Sequence, residues 1–198
     1  MSMSQQAGQA LSMPCLQGER IRLRELNPDD APALREQADN QAVWRNLLDG
    51  FPHPYTLADA EAWCSGGWRQ GAWVWGIEHE GAVIGCIGLR PESGWLRCNA
   101  EVGYWIGQPF WRRGITAEAL RLVTAWAWAD RAEISRIYAP IFAWNEGSQA
   151  VARSAGYALE ARWPQSALKA GQLIDRVVWA SYRSPASPTS FDPLTITP

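Results

Sequence analysis

Two consecutive arginines, Arg112 and Arg113, precede Gly114 and an amphipathic run that opens with Ile115, Thr116 and Ala117. A strand exit, a glycine turn and a helix start in that order leave backbone N–H groups without internal partners, and the helix dipole adds partial positive charge there. Such an end suits a phosphate or pyrophosphate. Downstream, Trp144-Asn145-Glu146-Gly147-Ser148 sets a capping side chain and a hydroxyl at a second helix entrance. The two entrances together suggest a ligand that carries phosphate at one end and meets a hydroxyl at the other.

Other chemistries have less to work with. Of the 18 basic residues only Lys169 is a lysine, so Schiff-base chemistry has one candidate, in what reads as a polar turn. The cysteines Cys15, Cys64, Cys86 and Cys98 form no C-x-x-C pair and have no histidine at ligand spacing, so neither a metal site nor a disulfide is expected. Three of them read as small buried hydrophobes, with Cys15 near a loose tail. The 13 tryptophans are expected to fill a core and wall a pocket. A net charge of −2 and a pI near 5.7 disfavour a bulk grip on nucleic acid or an anionic membrane. No apolar run is long enough to span a bilayer, and residues 1–13 lack a signal-peptide pattern, so a cytoplasmic protein is expected.

The elements that would position these residues follow from periodicity. At 198 residues, with 47% hydrophobic and 19% charged, one domain over residues 16–183 is expected, between a flexible N-terminal tail (1–15) and a proline-rich, disordered C-terminal one (184–198). Residues 20–26 alternate as a half-buried strand. Asn27-Pro28-Asp29-Asp30 starts a helix toward Ala38, and Thr56 caps another. Between them, the prolines of Phe51-Pro52-His53-Pro54-Tyr55 force an extended loop. Residues 73–79 and 82–89 read as a hairpin across Glu80-Gly81, and residues 101–106 as a strand. A helix over 117–129 carries Leu120, Val123 and Ala127 on one face. A strand over 134–141, a helix over 146–154 ended by Gly156, and strands over 159–163 and 176–182 complete the chain.

Taken together, the motifs resemble the GNAT superfamily of acyl-coenzyme A N-acetyltransferases, and within it the ribosomal-protein N-terminal acetyltransferases. The resemblance rests on Glu101-Val102-Gly103-Tyr104-Trp105-Ile106, then Phe110-Trp111-x-x-Gly114-x-x-x-Glu118-Ala119, Asn145-x-x-Ser148-x-x-Val151, Gly156-Tyr157 and Asp175. It implies an α/β fold with a mixed, splayed sheet of six or seven strands flanked by helices. Acetyl-coenzyme A would lie in the splay between residues 101–106 and 134–141, its arm against Trp105, Ile106 and Gly107. The pyrophosphate would rest on Arg112, Arg113, Gly114, Ile115, Thr116 and Ala117, with Asn145 on the arm and Ser148 near the thioester. Arg112 replaces a common Gly, Thr116 a common Gly or Ala, and Arg153-Ser154 stands where a Lys is frequent.

The same resemblance makes residues 44–55 an acceptor-side segment, with Trp44, Phe51, His53 and Tyr55 as a preformed wall of the amine site. Glu101 is the general base it favours, His53 the rival, and His79 is discounted beside a turn. Ser148 is the expected proton donor to the departing thiolate, with Tyr157 and Tyr104 as alternatives. The implied activity is acetyl transfer to a primary amine, either a protein N-terminal α-amine or a small molecule. A non-catalytic acyl-coenzyme A module is the reading from another class. No metal is implied, and a monomer or homodimer is expected.

Overall fold

The computed structural model describes residues 13–67 and 71–183. The expected tails lie outside the described residues except for Met13, Pro14 and Cys15. Met13 and Pro14 already touch the sheet: the Val74 N–H points at the Met13 sulfur (3.2 Å) and the Trp75 indole donates to the Pro14 carbonyl (2.9 Å).

The chain runs β1 (Leu16–Gln17), β2 (Arg22–Arg24), α1 (Ala31–Ala38), α2 (Gln41–Trp44), α3 (Leu57–Ala62), β3 (Trp73–His79), β4 (Ala82–Pro91), β5 (Asn99–Ile106), α4 (Ile115–Asp130), β6 (Arg136–Phe142), α5 (Glu146–Ser154), β7 (Ala158–Lys169) and β8 (Gln172–Tyr182). The strands form one eight-stranded sheet in the order β1-β2-β3-β4-β5-β6-β8-β7. Every pairing is antiparallel except β5 with β6. The count exceeds the expected six or seven because the two residues of β1 pair with β2.

Local chemistry explains the helix starts. The Thr56 side chain accepts from the Asp59 N–H while Asp59 reaches back to Thr56, a reciprocal cap that opens α3. Asn27 and Asp30 do the same for the turn leading into α1. Gly156 sits at φ 89°, the left-handed end expected for α5. Leu120, Val123 and Ala127 of α4 are all fully buried against one face of the sheet, with Trp75, Ile87 and Ile137 beneath them. Each such large side chain contributes about 1.5–3 kcal/mol through burial. A second apolar cluster, with Leu34, Ala60, Val74 and Cys86, lies on the other face under α1 and α3.

Two expectations need correction. Cys98 is exposed rather than buried, whereas Cys64 and Cys86 are buried as expected. Lys169 is not in a solvated turn; it ends β7 with its side chain 6% exposed. Tryptophans divide as anticipated between core (Trp73, Trp75, Trp126, Trp179) and groove, although Trp95 is 97% exposed. No described helix is long and apolar enough to cross a membrane.

Candidate active site

The sheet opens where its single parallel pair gives out. β5 pairs with β4 from Ala100 to Ile106, but with β6 only through Asn99, Ala100 and Glu101. Beyond Glu101 the two strands part, so the β6-facing edge of β5 has no strand neighbour. A groove of about 780 Å³ fills the gap, lined by α2, by β5 from Tyr104 to Ile106, and by the starts of α4 and α5.

One end of the groove presents backbone N–H groups with no internal partner. Gly114, at φ 74°, turns the chain into α4. Glu118 is the first residue whose N–H is taken up within the helix, by the Gly114 carbonyl (3.1 Å). Ile115, Thr116 and Ala117, all lining the groove, therefore start α4 without an intrahelical acceptor. Arg112 also lines it and holds φ 62°, so a side chain bears the left-handed conformation that glycine takes freely. Arg113 faces elsewhere: its guanidinium lies over the Phe110 ring, and its carbonyl accepts from Arg20 (2.6 Å). Arg20 also donates main-chain and side-chain hydrogen bonds to Glu118 (3.0 and 2.9 Å). Burial pushes the Glu118 carboxyl up, but these bonds outweigh it and hold the group below its usual range. The turn into α4 is thus clamped by Arg20, which precedes β2.

At the other end, Asn145 caps α5 through the Ser148 N–H (3.0 Å). The Ser148 hydroxyl donates to the Tyr104 oxygen (3.2 Å), and the Tyr104 hydroxyl lies 3.1 Å from the Ser148 carbonyl. Burial pushes Tyr104 up to about 12, so its proton stays in place at neutral pH. Tyr157 is not part of this pair, because its hydroxyl is buried against Thr124 (2.8 Å). Ile106 and Trp105 line the groove, and the Ile106 carbonyl accepts from the Trp111 indole (2.8 Å). The Gly107 N–H is already given to the Ile84 carbonyl (2.9 Å), and a Cβ there would meet Gln37 at 2.1 Å. Gly107 thus admits α1.

Alternation along β5 sends Tyr104 and Glu101 to opposite faces. Glu101 shares its face with Gly103 and Trp105, away from α4 and α5. It sits across from Arg90 on β4 and Tyr138 on β6. Burial pushes its carboxyl above the ordinary glutamate value, against the pull of Arg90 and Arg176. The Tyr138 hydroxyl donates to Glu92, which adds a second carboxylate nearby. Gly103 is exposed although its strand is central, and a Cβ built there meets nothing within 4 Å. The sheet is therefore open to solvent between Glu101 and Trp105. Sequence reasoning missed Arg90, Glu92, Tyr138 and Arg176, which come from strands far apart in the chain and carry no local motif.

The acceptor-side segment holds two stacked ring pairs, one of which reaches β5 at Trp105. Phe51 stacks on Tyr55 (4.9 Å between centroids) and meets Trp105 edge-on (5.6 Å). Trp44 stacks on His53 (5.2 Å). Tyr55 is only 4% exposed and belongs to the core beneath α1 and α3. His79 lies away from the split, its ring against Phe110 and bonded to the Arg20 carbonyl. Asp175 is engaged by Arg162 (2.7 Å) and the Gln165 N–H (2.9 Å). Among the described residues no group of His, Cys, Asp and Glu is placed to hold a metal ion.

The split sheet, the unpaired N–H groups at the start of α4 and the Ser148–Tyr104 hydroxyl pair all face one groove, the arrangement expected for an acyltransferase that uses an acyl-coenzyme A. Comparison with known proteins names the family: residues 20–158 match the acetyltransferase (GNAT) domain, and the chain belongs to that family. It is an acetyl-coenzyme A-dependent N-acetyltransferase. A Bacillus subtilis protein named "Putative ribosomal N-acetyltransferase YdaF" is 30% identical over 154 residues, covering 75% of this chain and 83% of its own. Among solved structures, RimL, a ribosomal L7/L12 alpha-N-protein acetyltransferase in complex with coenzyme A, superposes with a TM-score of 0.73 at 22% identity, over 85% of this chain and 98% of that one. The microcin C7 self-immunity acetyltransferase MccE, in complex with acetyl-CoA and AMP, gives 0.73 at 17% identity, over 84% and 94%. These two likenesses show the shared fold.

Proposed function

We propose that the chain acetylates a primary amine that enters over Gly103, and that a protein N-terminal α-amine is its acceptor. The observation that carries this reading is the uncovered stretch of a central strand between Glu101 and Trp105. It gives an amine a path to the split from the face opposite the cofactor groove. An open approach suits the end of a polypeptide, and an α-amine, with a pKa near ~7.7–8.0, needs little help to lose its proton. The ribosomal naming of the Bacillus subtilis relative agrees with it.

The groove suits acetyl-coenzyme A in size and in donors: the first turn of α4 and Arg112 for the pyrophosphate, and the open edge of β5 for the arm. Bound there, acetyl-coenzyme A supplies an activated thioester carbonyl. Glu101, pushed above the ordinary glutamate value by burial, takes the proton of the incoming amine. On the other face the Ser148–Tyr104 pair delivers a proton to the departing thiolate. Base and acid thus work from opposite sides of the sheet, with the split as the only passage needed between them. Thiol release measured with a panel of free N-terminal peptides and a panel of small amines tests the acceptor. Turnover of peptides at low concentration supports the reading, and selective turnover of the small amines refutes it.

A further inference from the structure

Lys169 and Asp49 take no part in the chemistry proposed above, yet they form an ion pair that joins the acceptor-side segment to the β7–β8 hairpin. The Lys169 ammonium lies 3.6 Å from the centroid of the Trp44 ring and 2.9 Å from Oδ1 of Asp49. The other Asp49 oxygen accepts from the Ala170 N–H (2.9 Å). Both oxygens are therefore spent on the tip of the β7–β8 hairpin, and Trp44 in turn stacks on His53. The tip itself is a tight two-residue turn, with Ala170 at φ 49° and Gly171 at φ 79°, which fixes where Lys169 stands. Burying an ammonium is costly unless opposite charge replaces water; here the Asp49 carboxylate and the Trp44 face supply it, although the ammonium makes no well-aligned hydrogen bond.

We propose that Asp49 and Lys169 are a clasp that positions the acceptor wall: the β7–β8 hairpin holds Trp44, and through it His53, at one end, while Phe51 rests on Trp105 at the other. The inference depends on residues 44–55 walling the amine site. An ion pair with one partner buried and the other half exposed is weak evidence for stability alone, because the desolvation of the ammonium offsets much of the attraction. What this pair does fix is the relative place of two segments remote in the chain.

The test uses the full chain and four variants: Lys169→Met, Asp49→Asn, Lys169→Arg and Trp44→Ala. Thiol release is followed with a free N-terminal octapeptide and with spermidine. Lys169→Met and Asp49→Asn should raise the KM of whichever amine is used by about five- to tenfold, with coenzyme A affinity within about twofold. Lys169→Arg, which keeps the charge and the stacking, should recover most of the loss. Independently of any acceptor, hydrogen exchange across residues 44–55 should quicken in Lys169→Met and return toward normal in Lys169→Arg. A fall in melting temperature with unchanged acceptor KM, or unchanged exchange over residues 44–55, overturns the clasp. If Trp44→Ala raises KM and Lys169→Met does not, the clasp fails while the wall stands. If Trp44→Ala leaves KM unchanged, the wall itself is refuted.

Discussion

The two ends of the split are built on different plans. The end proposed for the pyrophosphate is local: residues 112–117 are consecutive in the chain, and one remote residue, Arg20, clamps them. The end proposed for the acceptor is assembled from the segment 44–55, β4, β5, β6 and the β7–β8 hairpin, with no contiguous motif. A phosphate group is the same in every acyl-coenzyme A, so one compact solution serves. The acceptor end instead depends on the register of several strands and on contacts between segments remote in the chain. Substitutions at the two ends should therefore fail in different ways.

The sharpest separation is expected at Glu101. Glu101→Gln should lower kcat/KM by about 10²–10⁴ near neutral pH, and by less at high pH where the amine deprotonates unaided. Its carboxyl is raised in the folded state, so folding favours the protonated form; stability is lost as pH rises from the unfolded value through the folded one. Above that window the buried charge is a standing cost, so the same variant should melt at a higher temperature at pH 7. Loss of both rate and stability would refute the assignment. Next in size is the contrast inside the acceptor segment. Tyr55→Ala, in the core, should cost about 3–5 kcal/mol in chemical denaturation, whereas His53→Ala should leave stability almost unchanged and raise acceptor KM.

At the anion end, Gly114→Val forces a β-branched residue to φ 74° and should weaken coenzyme A binding in calorimetry by about one to two orders of magnitude, with little change in acceptor KM. The smallest effect is expected at Arg112. Arg112→Gly relieves a left-handed side-chain residue and should stabilise the fold by about 1 kcal/mol while loosening coenzyme A a fewfold. If it weakens the fold instead, the guanidinium is a structural tie and not a ligand contact.

The same division governs what the sequence made legible. Glycine at a helix start, Asn145 at a cap and alternation over β5 are short-range signals, and each places its residue within a few positions. The left-handed backbone at Arg112 was not read from the sequence; the only pointer to it was that the resembled family often has glycine there. Lys169 was misread because β7 has almost no buried face, so nothing in its pattern says that the last side chain turns inward. Helix α2 is four residues long, too short for a period to register. The surroundings of Glu101 depend on register between β4, β5, β6 and β8, which local spacing does not encode. Cys98 follows a short helical turn at the strand entrance, outside any periodic segment that would give its burial.

The burial of Lys169 has one more consequence. It is the only lysine in the sequence, so its withdrawal beneath Trp44 leaves the protein without an accessible side-chain amine. The remaining basic side chains that carry charge at neutral pH are arginines, whose guanidinium stays protonated and does not act as a nucleophile under these conditions. A protein whose working reagent acylates amines thus offers that reagent no ε-amine on its own surface. Amine-directed labels and crosslinkers should likewise find no side chain to modify until the hairpin lifts.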